Sequence, residues 1–238
     1  MQARRFLFGS EDWWKLDAVI AAERQAGLRS TFNFHAGPRR WDWRSWLFDP
    51  AYDVAEPRIR SFMAAATTGG WSIGLHPSYA VWRSAGELRE QRERLQSFVA
   101  QPVESCRQHW LRFGWKETWA AQVAAGLKED TTLMYNDRPG FRTAAALRWA
   151  PWNPQTNRPH ALRALPTILM DSHFYDYEPM DAAARRAALR HWIDEVRAVG
   201  GQAAVLWHPH TLTRDYGWAA GFDELLETLR SPDPCATS

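Results

Sequence analysis

The sequence predicts an α/β fold built on a mainly parallel sheet. Three observations carry this expectation. Segments with strand-like alternation and segments with helical periodicity take turns along most of the chain. Glycines and capping residues punctuate them at element-length intervals. Several candidate strands are followed directly by His, Arg or Asp, as expected where loops beyond the C-terminal strand ends share a crevice. A length of 238 residues suits one large domain with a real core, expected over residues 1–230 with a loose tail at 231–238.

The elements can be justified in order. Ser10 can cap a helix from Glu11 to Ala26, with Trp13, Leu16 and Ile20 as the apolar stripe and Gly27 as the stop. Ser30 to Phe34 alternates and is β-rich, and Gly37-Pro38 ends it. Arg39 to Glu56 is aromatic, acidic and loop-like. Pro57 opens a helix with Ile59, Phe62, Met63 and Ala66 on one face. Trp71 to Leu75 reads as a strand, and Ser84-Ala85-Gly86-Glu87 has capping-box spacing before a helix that turns Leu88, Leu95, Phe98 and Val99 inward.

Further strands are expected at Val103–Cys106, Thr131–Met134, Leu165–Met170 and Ala203–Trp207. Helices are expected at Lys116–Ala125 before Gly126, from Asp181 to Val199 before Gly200-Gly201, and over Gly221–Arg230. Gly140 to Ala164 is rich in Pro, Asn and Trp and has no clear period, so it reads as an insertion of irregular loops.

Composition excludes some functions. The net charge of +2 is too small to suggest nucleic-acid binding by itself. No run of 18 apolar residues is present, so no membrane-spanning helix is expected. Met1 to Gly9 has no long apolar stretch of the signal-peptide kind. Cys106 and Cys235 make no disulfide framework; both are expected reduced, in a cytoplasm. Tryptophan is abundant at 15 residues, and 26 of the 29 basic residues are Arg, biases that a GC-rich coding sequence explains as readily as function does.

The residues after the strands carry the chemistry. They are His76; Arg107, Gln108 and His109; Asn136, Asp137 and Arg138; Asp171; and His208 with His210. No sealed metal signature such as H-E-x-x-H or C-x-x-C is present. Ligands can still come from separate strand ends. A catalytic zinc takes three N/O/S ligands and leaves one position open, and His76 and His109 can be two of them. His208-Pro209-His210 can supply either ligands or a general acid.

The runs "STFNFHAG", "WSIGLHPSY", "SCRQHWLRF", "NDRPGFR" and "VLWHPH" resemble, in this order, a bacterial branch of the polysaccharide deacetylases of the carbohydrate esterase family 4 type. The resemblance runs from about Asp12 to His210. It implies a distorted (β/α)7 barrel and a metal-dependent hydrolase that removes N- or O-acetyl groups from a carbohydrate substrate. It implies a divalent metal, zinc first, with His76 matching the first metal His. The family's second His lies four residues on, where this chain has Ala80, so His109 is the substitute. Arg107 matches the Arg that pairs with the catalytic Asp, Asp137 falls where an Asp orients that region, and His208 matches the late-strand acid. Arg138, Trp110 and Asp171 are assigned to substrate binding, with His35 on the same rim.

One departure matters. The family's first strand carries two acidic groups, one a base and one a metal ligand. Met1 to Phe8 contains no Asp, and Asp12 and Asp17 fall on the first helix. The barrel is therefore expected without its first strand, with self-association through the sheet edge beside Thr31–Phe34. Little or no turnover is expected, since losing a general base costs about 10²–10⁴-fold. The alternative is a non-catalytic carbohydrate binder or scaffold that stacks sugars on Trp41, Trp43, Trp46, Trp82, Trp149 and Trp152. An amidohydrolase is disfavoured, because its H-x-H follows the first strand and the one here is His208-Pro209-His210.

Overall fold

The computed structural model describes residues 12–38 and 42–230. The tail expected at 231–238, Trp41, and the Ser10 cap with Glu11 lie outside the described residues. In chain order the first elements are α1 (Leu16–Ala26), β1 (Thr31–Phe34), α2 (Trp43–Phe48), α3 (Pro57–Thr68), β2 (Ser72–Leu75) and α4 (Ala85–Gln96). Then come β3 (Ser105–Cys106), α5 (Thr118–Ala124), β4 (Glu129–Asp130), β5 (Trp152–Asn153), β6 (Arg158–Pro159) and β7 (Arg163–Ala164). The chain continues through β8 (Thr167–Met170), α6 (Ala182–Ala198), β9 (Ala204–Leu206) and α7 (Ala219–Arg230).

The chain divides into two compact units. One combines Ser30–Met134 with Leu147–Thr167; the other combines Met1–Arg29, Tyr135–Ala146 and Ile168–Ser238.

The first unit is built on a five-stranded sheet in the order β1-β2-β3-β4-β7. Every neighbouring pair is parallel, with Phe34 opposite Leu75, Leu75 opposite Cys106, and Glu129 opposite Arg163. The sequence dictates this core. Ile59, Phe62, Met63 and Ala66 of α3 are all buried, as their spacing requires. Phe62 meets Phe32 edge-on at 5.1 Å. Ser84 caps α4 by accepting from the Glu87 N–H, and Leu88 and Leu95 are fully buried. Each such leucine contributes about 1.5–3 kcal/mol of burial.

Four expectations for this unit need correction. The stretch read as loop, Arg39–Glu56, contains α2, because the Asp42 carboxylate accepts from the N–H groups of Arg44 and Ser45 and starts a turn of helix. The strand expected at Thr131–Met134 is instead β4, two residues earlier. There the Thr131 carbonyl accepts from Arg107 Nε and the Thr167 hydroxyl, so side chains replace the next ladder bond. The strand expected at Leu165–Met170 begins only at Thr167 as β8, after Pro166, which has no N–H to donate, and a separate strand, β7, lies just before it at Arg163–Ala164. β7 closes the row of the sheet and β8 pairs elsewhere with β9. Gly140–Ala164 is accordingly not a mere insertion: it holds the antiparallel β5–β6 hairpin and β7 itself.

Among the described residues the second unit contains the β8–β9 pair and three α-helices. α6 is capped by Asp181, whose side chain accepts from the Ala184 N–H. It packs on α7, and α1 packs on α7 as well. A buried bidentate pair crosses the first contact: Arg185 Nε to Glu224 Oε2 at 2.6 Å and Nη2 to Oε1 at 3.0 Å. α1 starts at Leu16 rather than Glu11, leaving Trp13 ahead of it. The Asp12 carboxylate accepts from the Trp14 N–H and turns the chain before the helix begins. Gly27, at φ +72°, ends α1 in the left-handed conformation.

Candidate functional site

In the sheet unit, functional side chains gather just after β1, β2 and β3. His35 follows β1, His76 follows β2, and Arg107 and His109 follow β3. The centre of the group is Asp49, a residue sequence reasoning missed. Its Oδ1 lies 3.1 Å from His109 Nδ1 and accepts from the Tyr79 N–H at 2.7 Å, and His35 Nε2 is 4.0 Å away. Burial alone would raise the Asp49 pKa, but the bonds from His109 and Tyr79 overcome it and hold the carboxyl below its usual range. The carboxylate accepts, so His109 Nδ1 carries a proton. His76 Nδ1 lies 2.7 Å from the Arg107 carbonyl and must donate for the same reason. The two rings are 4.6 Å apart between centroids.

His35 serves a different purpose. Its Nε2 bonds the Ser78 hydroxyl at 2.9 Å, and Gln91 grips Ser78 from both sides, accepting its N–H and donating to its Oγ. Burial drives His35 down to about 4, so it is neutral at pH 7. Gly37 covers this knot so closely that a Cβ would stand 2.0 Å from Ser78 Oγ.

Trp110 is 59 % exposed and stands beside Phe48, whose carbonyl accepts its indole N–H at 3.4 Å. Trp110 and Leu111 both hold positive φ, +56° and +51°. Positive φ at a residue other than glycine is uncommon and costs about 1–3 kcal/mol.

In the second unit, Asp171 ends β8 and His208 follows β9. Asp171 is fully buried. It accepts from His208 Nδ1 at 2.8 Å, the His208 N–H at 2.8 Å, the Ser172 N–H at 2.9 Å and the Thr211 hydroxyl at 3.2 Å. Burial would raise its pKa, but the His208 charge and these bonds prevail and lower it. The His208 side chain is 41 % exposed. A buried carboxylate thus fixes the Nδ1–H tautomer of an accessible imidazole, which is what a general acid or base requires. Beside it, His210 lies against Tyr216, and Tyr216 against Trp13 and Trp218, with ring centroids 5.1–5.6 Å apart.

No protein-family model and no curated protein matches the sequence. Solved structures do. A protein assigned as a polysaccharide deacetylase from Mycobacterium smegmatis superimposes with a TM-score of 0.62 at 18 % identity, over 92 % of this chain and 71 % of that one. The polysaccharide deacetylase Bc1974 from Bacillus cereus does so with a TM-score of 0.50 at 9 % identity, over 93 % and 83 %. The fold is that of the polysaccharide deacetylases. This polysaccharide deacetylase fold is the architecture the five sequence runs implied.

The residues expected from sequence fall into three groups. His76, His109 and the Arg107 main chain come together, with Trp110 adjoining. Asp171 and His208 come together, and Asp171 orients the histidine rather than lying open on a rim. Asp137 and Arg138 pair with each other at 3.0 Å, each 59 % exposed, and Arg138 lies over the Tyr135 ring. Arg107 bonds threonines and has no carboxylate partner among the described residues. Of the sugar-platform tryptophans, Trp43, Trp46 and Trp152 are exposed, whereas Trp82 and Trp149 are half-buried.

Proposed function

We propose that this chain is a deacetylase-like hydrolase acting on an N- or O-acetylated carbohydrate. The observation that carries the proposal is the Asp171–His208 pair. His208 as imidazolium protonates the departing amine or alcohol, and Asp171 holds the ring in one tautomer and stabilises its charge. The fold it sits in supports the assignment.

A divalent metal is part of the same expectation, and His76 and His109 are the residues we assign to it. Both fix Nδ1 on an oxygen, the outer-shell arrangement usual for metal-binding histidines. Among the described residues, however, no group of three His, Cys, Asp or Glu is placed to hold an ion. Two imidazoles do not make the three-ligand site a catalytic zinc needs. We assign the base to neither Asp12 nor Asp17, which both accept from Trp14. Turnover is accordingly expected to be slow.

The test is acetate release from N-acetylated and O-acetylated oligosaccharides at high enzyme concentration. A slow rate that falls at least about 10²-fold in His208→Ala supports the proposal. A rate indifferent to that substitution refutes it. The exposure of Trp43, Trp46 and Trp110, at 65 %, 84 % and 59 %, favours a second reading, a non-catalytic sugar binder. Oligosaccharide-dependent tryptophan fluorescence, unchanged by chelator and unaccompanied by acetate release, would establish it.

A further inference from the structure

The outward surface of α2 is richer in apolar groups than any role assigned so far explains. Four of its six residues are Trp, Leu or Phe, yet none of the six is buried. An apolar helix of a folded domain ordinarily turns a stripe onto the core. Phe48 ties this one down, stacked on Tyr79 at 4.2 Å, and the next residue, Asp49, is held by Tyr79 and His109. Trp43, Trp46 and Leu47 are all exposed, Trp46 at 84 %. Trp110, exposed as well, meets Phe48 edge-on at 5.7 Å and extends the same surface. Exposed apolar groups gathered in this way mark a protein or membrane contact, whereas scattered single ones are ordinary.

Charge and side-chain chemistry decide between occupants. Arg44 lies over the Trp43 ring at 5.2 Å, and no acidic side chain stands on α2 itself. Asp42, its cap, spends its carboxylate on the N–H groups of Arg44 and Ser45 and on the Ser45 hydroxyl. In sequence, Arg39 to Phe48 carries three Arg against one Asp, interleaved with three Trp. Indole rings settle at a membrane–water interface, and an arginine beside them reaches the headgroups. The same rings carry the sugar-binding reading, but a sugar needs hydrogen-bonding side chains next to the rings. On α2 these are engaged, as at Asp42 and Ser45, or cationic. Exposed Leu47 is of no use to a sugar and suits acyl chains.

We propose that α2, with Trp110, is a docking surface for an anionic lipid bilayer. Trp43, Trp46 and Leu47 enter the boundary between headgroups and acyl chains, and Arg44 pairs with the headgroup anions. This goes beyond the deacetylase proposal and stands whether or not that proposal does.

The experiment sediments the full chain at pH 7 with vesicles of phosphatidylcholine alone and of phosphatidylcholine with about one-third phosphatidylserine. Binding to the anionic vesicles is expected, weaker at raised salt, with little binding to the neutral ones. Trp46→Ala removes a ring that stands clear of the protein and should weaken partitioning at least about tenfold, and Arg44→Gln about fivefold. Leu147→Ser, at a similarly exposed apolar residue outside α2, should leave it unchanged. Absence of vesicle binding overturns the proposal, as does equal binding to both kinds of vesicle. So does binding that Trp46→Ala leaves intact or that Leu147→Ser weakens as much. A Trp46-dependent response confined to neutral oligosaccharides, or to self-association in analytical ultracentrifugation, also overturns it and names a sugar or a second copy as the occupant.

Discussion

Replacing Asp171 with Ala tests the candidate acid through stability alone. The side chain is fully buried, and its two oxygens serve four donors. Truncation strands two backbone N–H groups and the His208 Nδ1–H, each costing about 1–3 kcal/mol when left unsatisfied, while the Thr211 hydroxyl keeps the His208 carbonyl. Water entering beside the half-exposed His208 can satisfy one of them, so the expected loss is about 3–4 kcal/mol at pH 7. The pH dependence has a definite sign. The folded pKa of Asp171 is depressed, so its contribution is complete above the unfolded carboxylate value of about 3.9 and is lost as pH falls through the folded value. Urea denaturation of both proteins at pH 7 and at pH 3 should show a gap that narrows in acid. A loss under about 1 kcal/mol at pH 7, or a gap that widens in acid, refutes the assignment of Asp171 as the buried anchor of His208.

Three further outcomes are expected. Gly37→Ala sets a Cβ 2.0 Å from Ser78 Oγ and 2.8 Å from His35 Nε2, and should cost about 2 kcal/mol or more in chemical denaturation; near-neutrality would contradict the close approach. His35 titrates near 4 folded and near 6.5 unfolded, so the unfolded chain binds the extra proton between these values. Stability should fall as pH drops through that window, by about 3 kcal/mol at most, and His35→Gln should flatten the slope. Glu224→Gln breaks the buried bidentate pair with Arg185 and should destabilise by about 3–5 kcal/mol, against less than about 1 kcal/mol for Arg138→Gln at the exposed pair with Asp137.

Periodicity made the helices legible. α3 buries all four apolar residues its spacing names and α6 buries Leu189 and Ile193, with Trp192 and Val196 half-buried, whereas α4 holds only Leu88 and Leu95 and ends before Phe98 and Val99. Short strands were harder. β3, β4 and β7 have two residues each, too few for alternation to register, and their limits are set by partners such as Arg107 and Thr167. Pro166 was visible, but which side of it joined which sheet depended on pairing partners far away in sequence. His76, Arg107, His109, Asp171 and His208 all stood out because they follow strands. Asp49 did not, since it lies in an aromatic connection 60 residues from His109, and nothing local marks that bond. Asp171 was found with a weaker role, because a contact spanning 37 residues decides between a rim position and a buried anchor.

The division of the chain into interleaved segments constrains how it can be synthesised. The unit holding α1 is completed only by residues from Ile168 onward, and α1 itself rests on α7, the last helix described. At a ribosomal rate of about 5–20 residues per second, the first helix must wait on the order of 10–40 s for its partner to be made. All residues of the sheet unit, by contrast, have been made once Thr167 has been added. Vectorial synthesis therefore gives the two units unequal histories. The amphipathic α1 spends that time without the helix it packs on.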